Sequence, residues 1–270
     1  MKKNNYLVKA IAVIVFTLPA SNFLFADNIF VSFPGDGSPN GKIMKFDSKG
    51  NGSIIASDLR GPYGLAFDKS GNLFSANLWD KTIYKYDANG NKSTFTSNLE
   101  SPRSIAFDNK GNLFVSNYEK GNIEKVDSNG KKIVFISDLS MPVDITFDGN
   151  DNLYVSLQGS GTVERFDKNG NKTTFASFSG SPSGLIFDKN GNLFVSDCLN
   201  NRIEKFDSSG KKTIFASGFD RSPSSLAFDS NGNLYVSCFT TIQKFDLTGN
   251  RIVFAAGLNG SMFIAVQPTP

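Results

Sequence analysis

Acidic residues recur in short Asp-x-x-Gly segments, a residue type and spacing that could contribute to a calcium site. DKNGN (188–192) and DGNDN (148–152) resemble the start of an acidic metal-binding loop. An EF-hand loop needs Gly at its sixth position and Glu at its twelfth. Counted from Asp188, Gly191 is fourth and Leu199 is twelfth. The spacing therefore predicts tight turns and no metal site.

The chain of 270 residues contains no histidine. This absence removes the usual zinc sites, histidine acid–base catalysis, and the Ser–His and Cys–His nucleophile pairs. The sequence therefore predicts no catalytic set, no bound metal and no cofactor. It argues against an enzyme, although it does not exclude every chemistry.

Five prolines divide the chain into units of 40 or 41 residues: Pro62, Pro102, Pro142, Pro182 and Pro223. A fixed period of this length indicates a repeat architecture. Each unit contains four short runs of strand composition, here named a, b, c and d. In one unit they are GLIFD (184–188), NLFVS (192–196), RIEKFD (202–207) and KTIFAS (212–217). None has a helical period.

The Asp-x-x-Gly segments connect strand a to strand b and strand c to strand d. Asp at the first position of a turn accepts a hydrogen bond from a backbone amide two residues on, and Gly adopts the positive φ that the turn requires. Both connections are therefore predicted to be hairpins. Four antiparallel strands in each repeat are typical of a β-propeller blade.

Six blades can be counted from the first residues of strand b: Asn28, Asn72, Asn112, Asn152, Asn192 and Asn233. The first unit lacks strand a, whereas MFIAV (262–266) has no unit of its own. We expect an all-β, six-bladed propeller of four-stranded antiparallel blades, in which the C-terminal strand completes the first blade. Aromatic residues at one place of strand b are expected to fill the space between blades: Phe74, Phe114, Tyr154, Phe194 and Tyr235.

Residues 1–26 differ from the rest of the chain. Three lysines precede a short apolar stretch, and the segment ends at Ala26, with Ala20 as an alternative cleavage site. This pattern predicts a secretory signal peptide, and the apolar stretch is shorter than the roughly 20 residues of a membrane span. We expect an exported protein, periplasmic or secreted, with its propeller in residues 27–270 and no membrane span in the mature chain.

Charge disfavours a nucleic-acid partner. The whole chain has 28 basic and 25 acidic residues, but three of the lysines and none of the acids lie in the predicted signal peptide. The mature chain is therefore electrically balanced, and a nucleic-acid binder needs a basic surface.

Cys198 and Cys238 lie at the ends of strand b in neighbouring units. An exported protein with two such cysteines could form a disulfide, provided that the loops lean together, because packed sheets lie about 10 Å apart. The alternative is a pair of half-buried thiols, and both remain open at this point.

PSGLIFDKNGNLFVSDCLNNRIEKFDSSG (182–210) resembles an NHL repeat, and residues 28–266 resemble a six-bladed NHL-type propeller. Propellers of this type include enzymes, RNA binders and interaction modules, so the resemblance implies a fold and no single activity. The related streptogramin lyases and amidating-enzyme lyase domains depend on histidine, which this chain lacks.

The resemblance extends distantly to the gluconolactonase and regucalcin family, which holds a divalent metal on the propeller axis with Glu, Asp and Asn ligands. Several of these ligands follow the proline-like position before strand a. The matching residues here are Tyr63, Arg103, Val143, Ser183, Ser224 and Met262, and none of them is a carboxylate or an amide. Asp144 lies one place away from such a position.

Loops that differ between blades are free to recognise a ligand. The b–c and d–a loops vary, whereas the Asp-x-x-Gly turns are nearly identical. We therefore expect binding on the face formed by the variable loops, and Trp79 is the leading candidate because it is the only tryptophan. The full set of candidates is Phe33, Tyr63, Trp79, Arg103, Tyr118, Asp144, Asp197, Arg202 and Phe239.

Together these observations predict an exported binding or protein-interaction scaffold whose partner is a protein, peptide or glycan. The alternative is a metal-dependent hydrolase or lactonase of the gluconolactonase-like class, which rests on family analogy alone.

Overall fold

A computed structural model describes residues 27–267, and the predicted signal peptide at 1–26 lies outside the described residues. These residues form 24 strands in six four-stranded antiparallel sheets. The strands are β1 (Ile29–Phe33), β2 (Gly41–Phe46), β3 (Gly52–Leu59), β4 (Pro62–Phe67), β5 (Leu73–Asn77), β6 (Thr82–Tyr86), β7 (Lys92–Thr96), β8 (Pro102–Phe107), β9 (Leu113–Asn117), β10 (Asn122–Val126), β11 (Lys132–Ile136), β12 (Pro142–Phe147), β13 (Leu153–Leu157), β14 (Thr162–Phe166), β15 (Lys172–Ser177), β16 (Pro182–Phe187), β17 (Leu193–Asp197), β18 (Arg202–Phe206), β19 (Lys212–Ser217), β20 (Leu226–Phe228), β21 (Leu234–Cys238), β22 (Thr241–Phe245), β23 (Arg251–Ala255) and β24 (Ile264–Val266).

Each sheet is one blade, and its strands follow the predicted order a, b, c, d. Blade 1 contains β24, β1, β2 and β3, and blades 2 to 6 take the remaining strands in groups of four. Strand a of every blade contacts strand a of the next, so the six copies surround a central axis. The predicted six-bladed, all-β propeller is confirmed.

The chain ends meet in blade 1. β24 pairs antiparallel with β1, with Val31 opposite Ile264 and Ile29 opposite Val266. Beyond the last pair, the Asn28 side-chain amide donates a hydrogen bond of 3.0 Å to Gln267 Oε1. Ring closure by the C-terminal strand is therefore confirmed, and it gives blade 1 the same four strands as the other five blades.

The Asp-x-x-Gly segments form the predicted turns. In the turn that begins at Asp188, the Gly191 amide donates to the Asp188 carbonyl at 3.0 Å, and Asp188 Oδ1 accepts from the amides of Asn190 and Asn192. Asp151 replaces the glycine of one turn and adopts a φ of 62°. Because backbone amides already occupy these carboxylate oxygens, the turns need no cation for their geometry.

Aromatic rings fill the boundaries between blades, as predicted. Phe114 of blade 3 contacts Phe147 of blade 4 edge to face, with ring centres 5.0 Å apart, and Tyr154 contacts Phe187 in the same way at 4.9 Å. Edge-to-face pairs at this spacing stabilise beyond their buried area. These layers make the ring a rigid support for its loops.

A ring of buried serines adds a second connection between blades, nearer the axis. Ser156 Oγ accepts a hydrogen bond from the Asp144 amide of its own blade at 3.0 Å and donates to the Ser183 carbonyl of the next blade at 2.6 Å. Five blades repeat the arrangement, through Ser32, Ser116, Ser156, Ser196 and Ser237. Blade 2 has Ala76 at the equivalent place. Sequence reasoning missed this role, although the serine that ends NLFVS was the available signal.

Candidate functional site

The variable b–c and d–a loops adjoin on one side of the disc, here called the variable face. The Tyr118 amide at the start of one b–c loop donates to the carbonyl of Ser101 in the preceding d–a loop at 3.0 Å, and the Cys198 amide donates to the Ser181 carbonyl at 2.9 Å. The Asp-x-x-Gly turns lie on the opposite side, here called the turn face. Hydrogen bonds therefore join the two loop sets around the ring.

The residue after each strand-a proline, or its equivalent, lies at the axis on the side of the variable face. Tyr63, Val143, Ser183, Ser224 and Met262 each offer their carbonyl to a serine of the preceding blade. The serine ring thus fixes the backbone from which these side chains project. Arg103 is the sixth member, and blade 2 has Ala76 in place of the serine that would bind its carbonyl.

Four of the predicted binding residues form one continuous strip across neighbouring blades. The Tyr63 ring lies edge to face with Trp79, with centres 6.2 Å apart. The Arg103 guanidinium carbon lies 5.6 Å from the centre of the Tyr63 ring and 4.4 Å from that of Tyr118. We call Trp79, Tyr63, Arg103 and Tyr118 the aromatic–arginine strip.

Hydrogen bonds extend the strip into blades 4 and 5. The Tyr118 hydroxyl donates to Gln158 Oε1 at 2.8 Å, and Gln158 Nε2 donates to Ser181 Oγ at 3.0 Å. Tyr118 is thereby held at its hydroxyl while its ring face contacts Arg103. Gln158 was not predicted from the sequence, in which only its position directly after strand b indicated that it could belong to the variable face.

Trp79 is half-buried, and its ring is seated against the d–a loop before β4. A Cβ atom added at Gly61, whose φ is +69°, would lie 2.2 Å from Trp79 Cε3. Gly61 therefore supplies both the left-handed backbone and the space for the indole. The exposed 37% of Trp79 remains available to a ligand.

Asp144 lies beside the strip and is buried. Its Oδ1 accepts from Ser104 Oγ at 2.5 Å and from the Ile145 amide at 2.9 Å, and its Oδ2 accepts from the Leu185 amide at 2.8 Å. Burial raises the pKa of Asp144 to about 6, although these hydrogen bonds and the charge of Arg103 oppose the shift. The carboxyl group joins blades 3, 4 and 5 near the axis.

Asp197 belongs to a buried polar network rather than to an open surface, which corrects its expected placement, whereas its partner Arg202 keeps 25% of its side chain exposed. Asp197 has no exposed surface; its Oδ1 accepts from the Ser181 amide at 3.0 Å. Arg202 lies 3.4 Å from the Asp197 carboxylate and 2.6 Å from that of Glu204. A buried carboxylate needs such partners, so Asp197 serves to fix the loop.

Phe33 and Phe239 have opposite environments. Phe33 ends β1 and is 4% exposed within the core of blades 6 and 1, because the strand continues through the position at which a loop was expected. Its expected placement on the variable face is therefore wrong. Phe239 is 46% exposed and adopts a φ of 53° at the tight b–c turn of blade 6.

An axial cavity of about 340 Å³ opens beside the strip. Its lining consists of Arg103, Gln158, Ser183, Cys198, Arg221, Ser222, Ser224, Phe239, Ser261 and Met262. Two arginines, several hydroxyl groups and two large apolar side chains thus face one space. Neither Arg221 nor Ser261 was singled out in the sequence.

Cys198 and Cys238 are free thiols in the structure. Cys198 Sγ donates to the Pro223 carbonyl at 2.9 Å. Burial raises the pKa of both thiols, that of Cys238 to about 12, so both are protonated at neutral pH. Neither is an activated nucleophile.

Metal-ligating groups are dispersed. Within residues 27–267, no three Cys, Asp or Glu side chains lie close enough to share a metal ion. The axial residues that match the ligand positions implied by the gluconolactonase resemblance include no carboxylate and no amide. In the same range, no helix is both long and apolar enough to cross a membrane.

Comparisons with known proteins support the architecture. No protein-family model matches the chain, and no curated protein sequence matches it. Among solved structures, a chain in a nidogen/laminin complex is 19% identical with a TM-score of 0.79, and the match covers 89% of this chain and 98% of that chain. A gluconolactonase from Xanthomonas campestris is 16% identical with a TM-score of 0.71, over 86% and 87% of the two chains.

A virginiamycin B lyase from Staphylococcus aureus is 14% identical with a TM-score of 0.65, and the match covers 86% of this chain and 89% of that chain. At such identities the similarity shows the fold and no more. The chain is thus a six-bladed β-propeller similar to gluconolactonase and streptogramin lyase propellers.

Proposed function

We propose that this protein is an exported binding scaffold that captures a protein, peptide or glycan on its variable face. The observation that carries the proposal is the aromatic–arginine strip, in which Trp79, Tyr63, Arg103 and Tyr118 lie in one contiguous line beside an axial cavity. Tryptophan, tyrosine and arginine are the residues most enriched where binding energy concentrates.

The rigidity of the ring supports this role. Ser32 of the serine ring holds the backbone of Tyr63, and the hydrogen bonds of Tyr118 and Gln158 fix the other end of the strip, so little conformational entropy is lost when a ligand binds. The chain in the nidogen/laminin complex shows that a propeller of similar shape can belong to a protein–protein complex. We place the repeats in the NHL class on the motif at 182–210.

Capture from a cell-envelope fraction tests the proposal. The mature protein, carrying a C-terminal tag, is compared with a Trp79→Ala/Tyr118→Ala variant. Leu247→Ala is the matched control because Leu247 is 78% exposed on the turn face. We expect the double variant to lose at least about tenfold in partner recovery, as expected when a binding hot spot is removed, and Leu247→Ala to retain it.

Melting temperatures separate binding from folding in that comparison. Trp79 packs against its loop, so each variant is used only if it unfolds cooperatively. Undiminished recovery by the folded double variant would reject the variable face as the binding surface.

Export is tested separately by the mass of the protein from its native cells, which should correspond to a chain beginning at Asp27 or, with the alternative site, at Ser21.

A further inference from the structure

The axial cavity is lined by cationic and neutral side chains without an acidic residue. Arg103 and Arg221 line it together with Gln158, Cys198 and four serines. Its volume of about 340 Å³ lies at the lower end of the range for small-molecule pockets. The charge of the lining therefore favours an anionic ligand.

Neither arginine of the cavity is neutralised by an ion pair. Within residues 27–267, no carboxylate lies within 4.0 Å of the side-chain nitrogens of Arg103 or Arg221. Arg103 is held between two aromatic rings, and its buried Nε has no hydrogen-bond partner among those residues. The nearby Asp144 directs its oxygens to Ser104, Ile145 and Leu185 instead.

A buried hydroxyl group at the cavity wall also lacks a partner. Ser261 has no exposed surface, lines the cavity, and its Oγ has no hydrogen-bond partner in the described part of the chain. Buried polar atoms in folded proteins are nearly always satisfied by a protein group, an ordered water or a ligand, so this hydroxyl group is free to pair with a molecule in the cavity. This observation is independent of the two arginines.

The cavity also has an apolar wall. Phe239 is 46% exposed, and Met262 lies beside it in the lining. A small inorganic anion would leave this wall in contact with water, whereas an acid with a hydrocarbon body would cover it. Planar guanidinium groups pair with carboxylates through two parallel hydrogen bonds.

We propose that the axial cavity binds a carboxylate group attached to an apolar body, with Arg103 and Arg221 as its cationic contacts and Ser261 as a neutral donor. This inference rests on the proposed function, because it names the ligand chemistry of the same site. The carboxylate could belong to a free organic acid or to the C-terminus of a peptide, and the two sources share the recognition chemistry.

Calorimetric titration of the purified mature protein tests the inference. The probes are 4-phenylbutyrate and N-acetyl-Gly-Phe with a free carboxylate, each paired with its neutral amide. We expect both acids to bind and both amides to bind at least about tenfold more weakly, or about 1.4 kcal/mol. Tighter binding of the peptide acid would identify a C-terminus as the source, and tighter binding of 4-phenylbutyrate would identify a free acid.

Variants assign the contacts. Arg221→Gln and Arg103→Gln should each weaken acid binding at least about tenfold. Arg60→Gln is the matched control, since Arg60 is an exposed arginine of the variable face outside the cavity lining, and it should leave binding unchanged. Because Arg221 is exposed, its variant is expected to fold even if the Arg103 variant does not.

Three results would overturn the inference: equal binding of acids and amides, no binding of any probe, or unchanged affinity in a folded Arg221→Gln variant. If partner capture still depends on Trp79 and Tyr118 after such a result, the proposed function stands and only the ligand chemistry is rejected. If the acids do not bind as predicted and partner capture does not depend on Trp79 and Tyr118, the site as a whole is rejected.

Discussion

The guanidinium carbon of Arg103, at the start of β8, lies 4.4 Å from the centre of the Tyr118 ring, which begins the b–c loop of the same blade. The Tyr118 hydroxyl is committed to Gln158, so the ring presents its face to the cation at a fixed position. This pair joins the aromatic part of the strip to the axial cavity. Its energetics can be measured separately from any ligand.

Tyr118 should contribute to stability through both its ring and its hydroxyl. Tyr118→Phe removes only the bond to Gln158 and should lower the free energy of unfolding by about 1 kcal/mol. Tyr118→Leu should lower the free energy of unfolding by roughly a further 0.5–2 kcal/mol, because it also removes the ring face under Arg103. Urea denaturation of both variants, repeated in an Arg103→Met background, measures the coupling between the Tyr118 ring and Arg103. If the difference in unfolding free energy between Tyr118→Phe and Tyr118→Leu is the same in both backgrounds, the stacked cation makes no contribution.

The serine ring predicts two opposite changes in stability. Ser156→Ala leaves the Asp144 amide and the Ser183 carbonyl without partners and should cost about 2–4 kcal/mol. Ala76→Ser supplies the missing member of the ring and should stabilise by about 1 kcal/mol. Urea denaturation measures both, with the exposed Ser160→Ala as the control. A destabilising Ala76→Ser would show that blade 2 cannot accept the bridge.

Asp144 should make stability depend on pH between about 4 and 6. Its folded pKa of about 6 lies above the ordinary value of 3.8, so folding favours the protonated carboxyl group. Its stabilising contribution is fully present below pH 3.8 and is lost as pH rises through 6, by about 3 kcal/mol in total.

Asp144→Ser isolates this effect, because Ser104 and Ser225 occupy the equivalent position in other blades. The unfolding free energy of the variant minus that of the wild type should increase by about 3 kcal/mol between pH 3 and pH 8. A difference that is constant with pH would show that Asp144 titrates normally in the folded protein.

The two cysteines, Cys238 buried and Cys198 half-buried, should behave as unreactive thiols. Native protein at pH 7.5 is expected to resist alkylation by iodoacetamide, since burial raises both pKa values and keeps the thiolates scarce. In denaturant without reductant, alkylation should add two groups by mass. A native mass two hydrogens lower, restored by reductant, would instead demonstrate the Cys198–Cys238 disulfide.

Ring closure should be essential for cooperative folding. Deleting residues 262–270 removes β24 and leaves β1 with an unpaired edge, so the unfolding transition should broaden and its midpoint should fall. Deletion of residues 268–270 alone is the matched control and should have little effect. Unchanged cooperativity in the longer deletion would mean that blade 1 is stable with three strands.

The repeat pattern determined the architecture without knowledge of the tertiary structure. The recurring prolines, the Asp-x-x-Gly turns and the separated MFIAV segment predicted six blades and their closure, because each depends on local backbone geometry and on a count of strands. The aromatic residues between blades were predictable for the same reason, because equivalent positions of successive repeats have the same surroundings in the ring.

The site depended on contacts between blades, which no single repeat encodes. Tyr63, Trp79, Arg103 and Tyr118 are separated in sequence, and only the ring brings them into one strip. Arg221 and Ser261 lie in irregular d–a loops outside the repeat pattern, so nothing in the sequence aligned them with the cavity.

Burial decided the placements that were wrong. Phe33 continues a strand into the core, and Asp197 lies in a polar network with Arg202, although both positions looked like loop surface in the sequence. A residue at the end of strand b can face either the solvent or the neighbouring blade, and the path of the loop selects between them. The sequence alone therefore determined the ring, whereas packing between its blades decided which side chains remain available to a ligand.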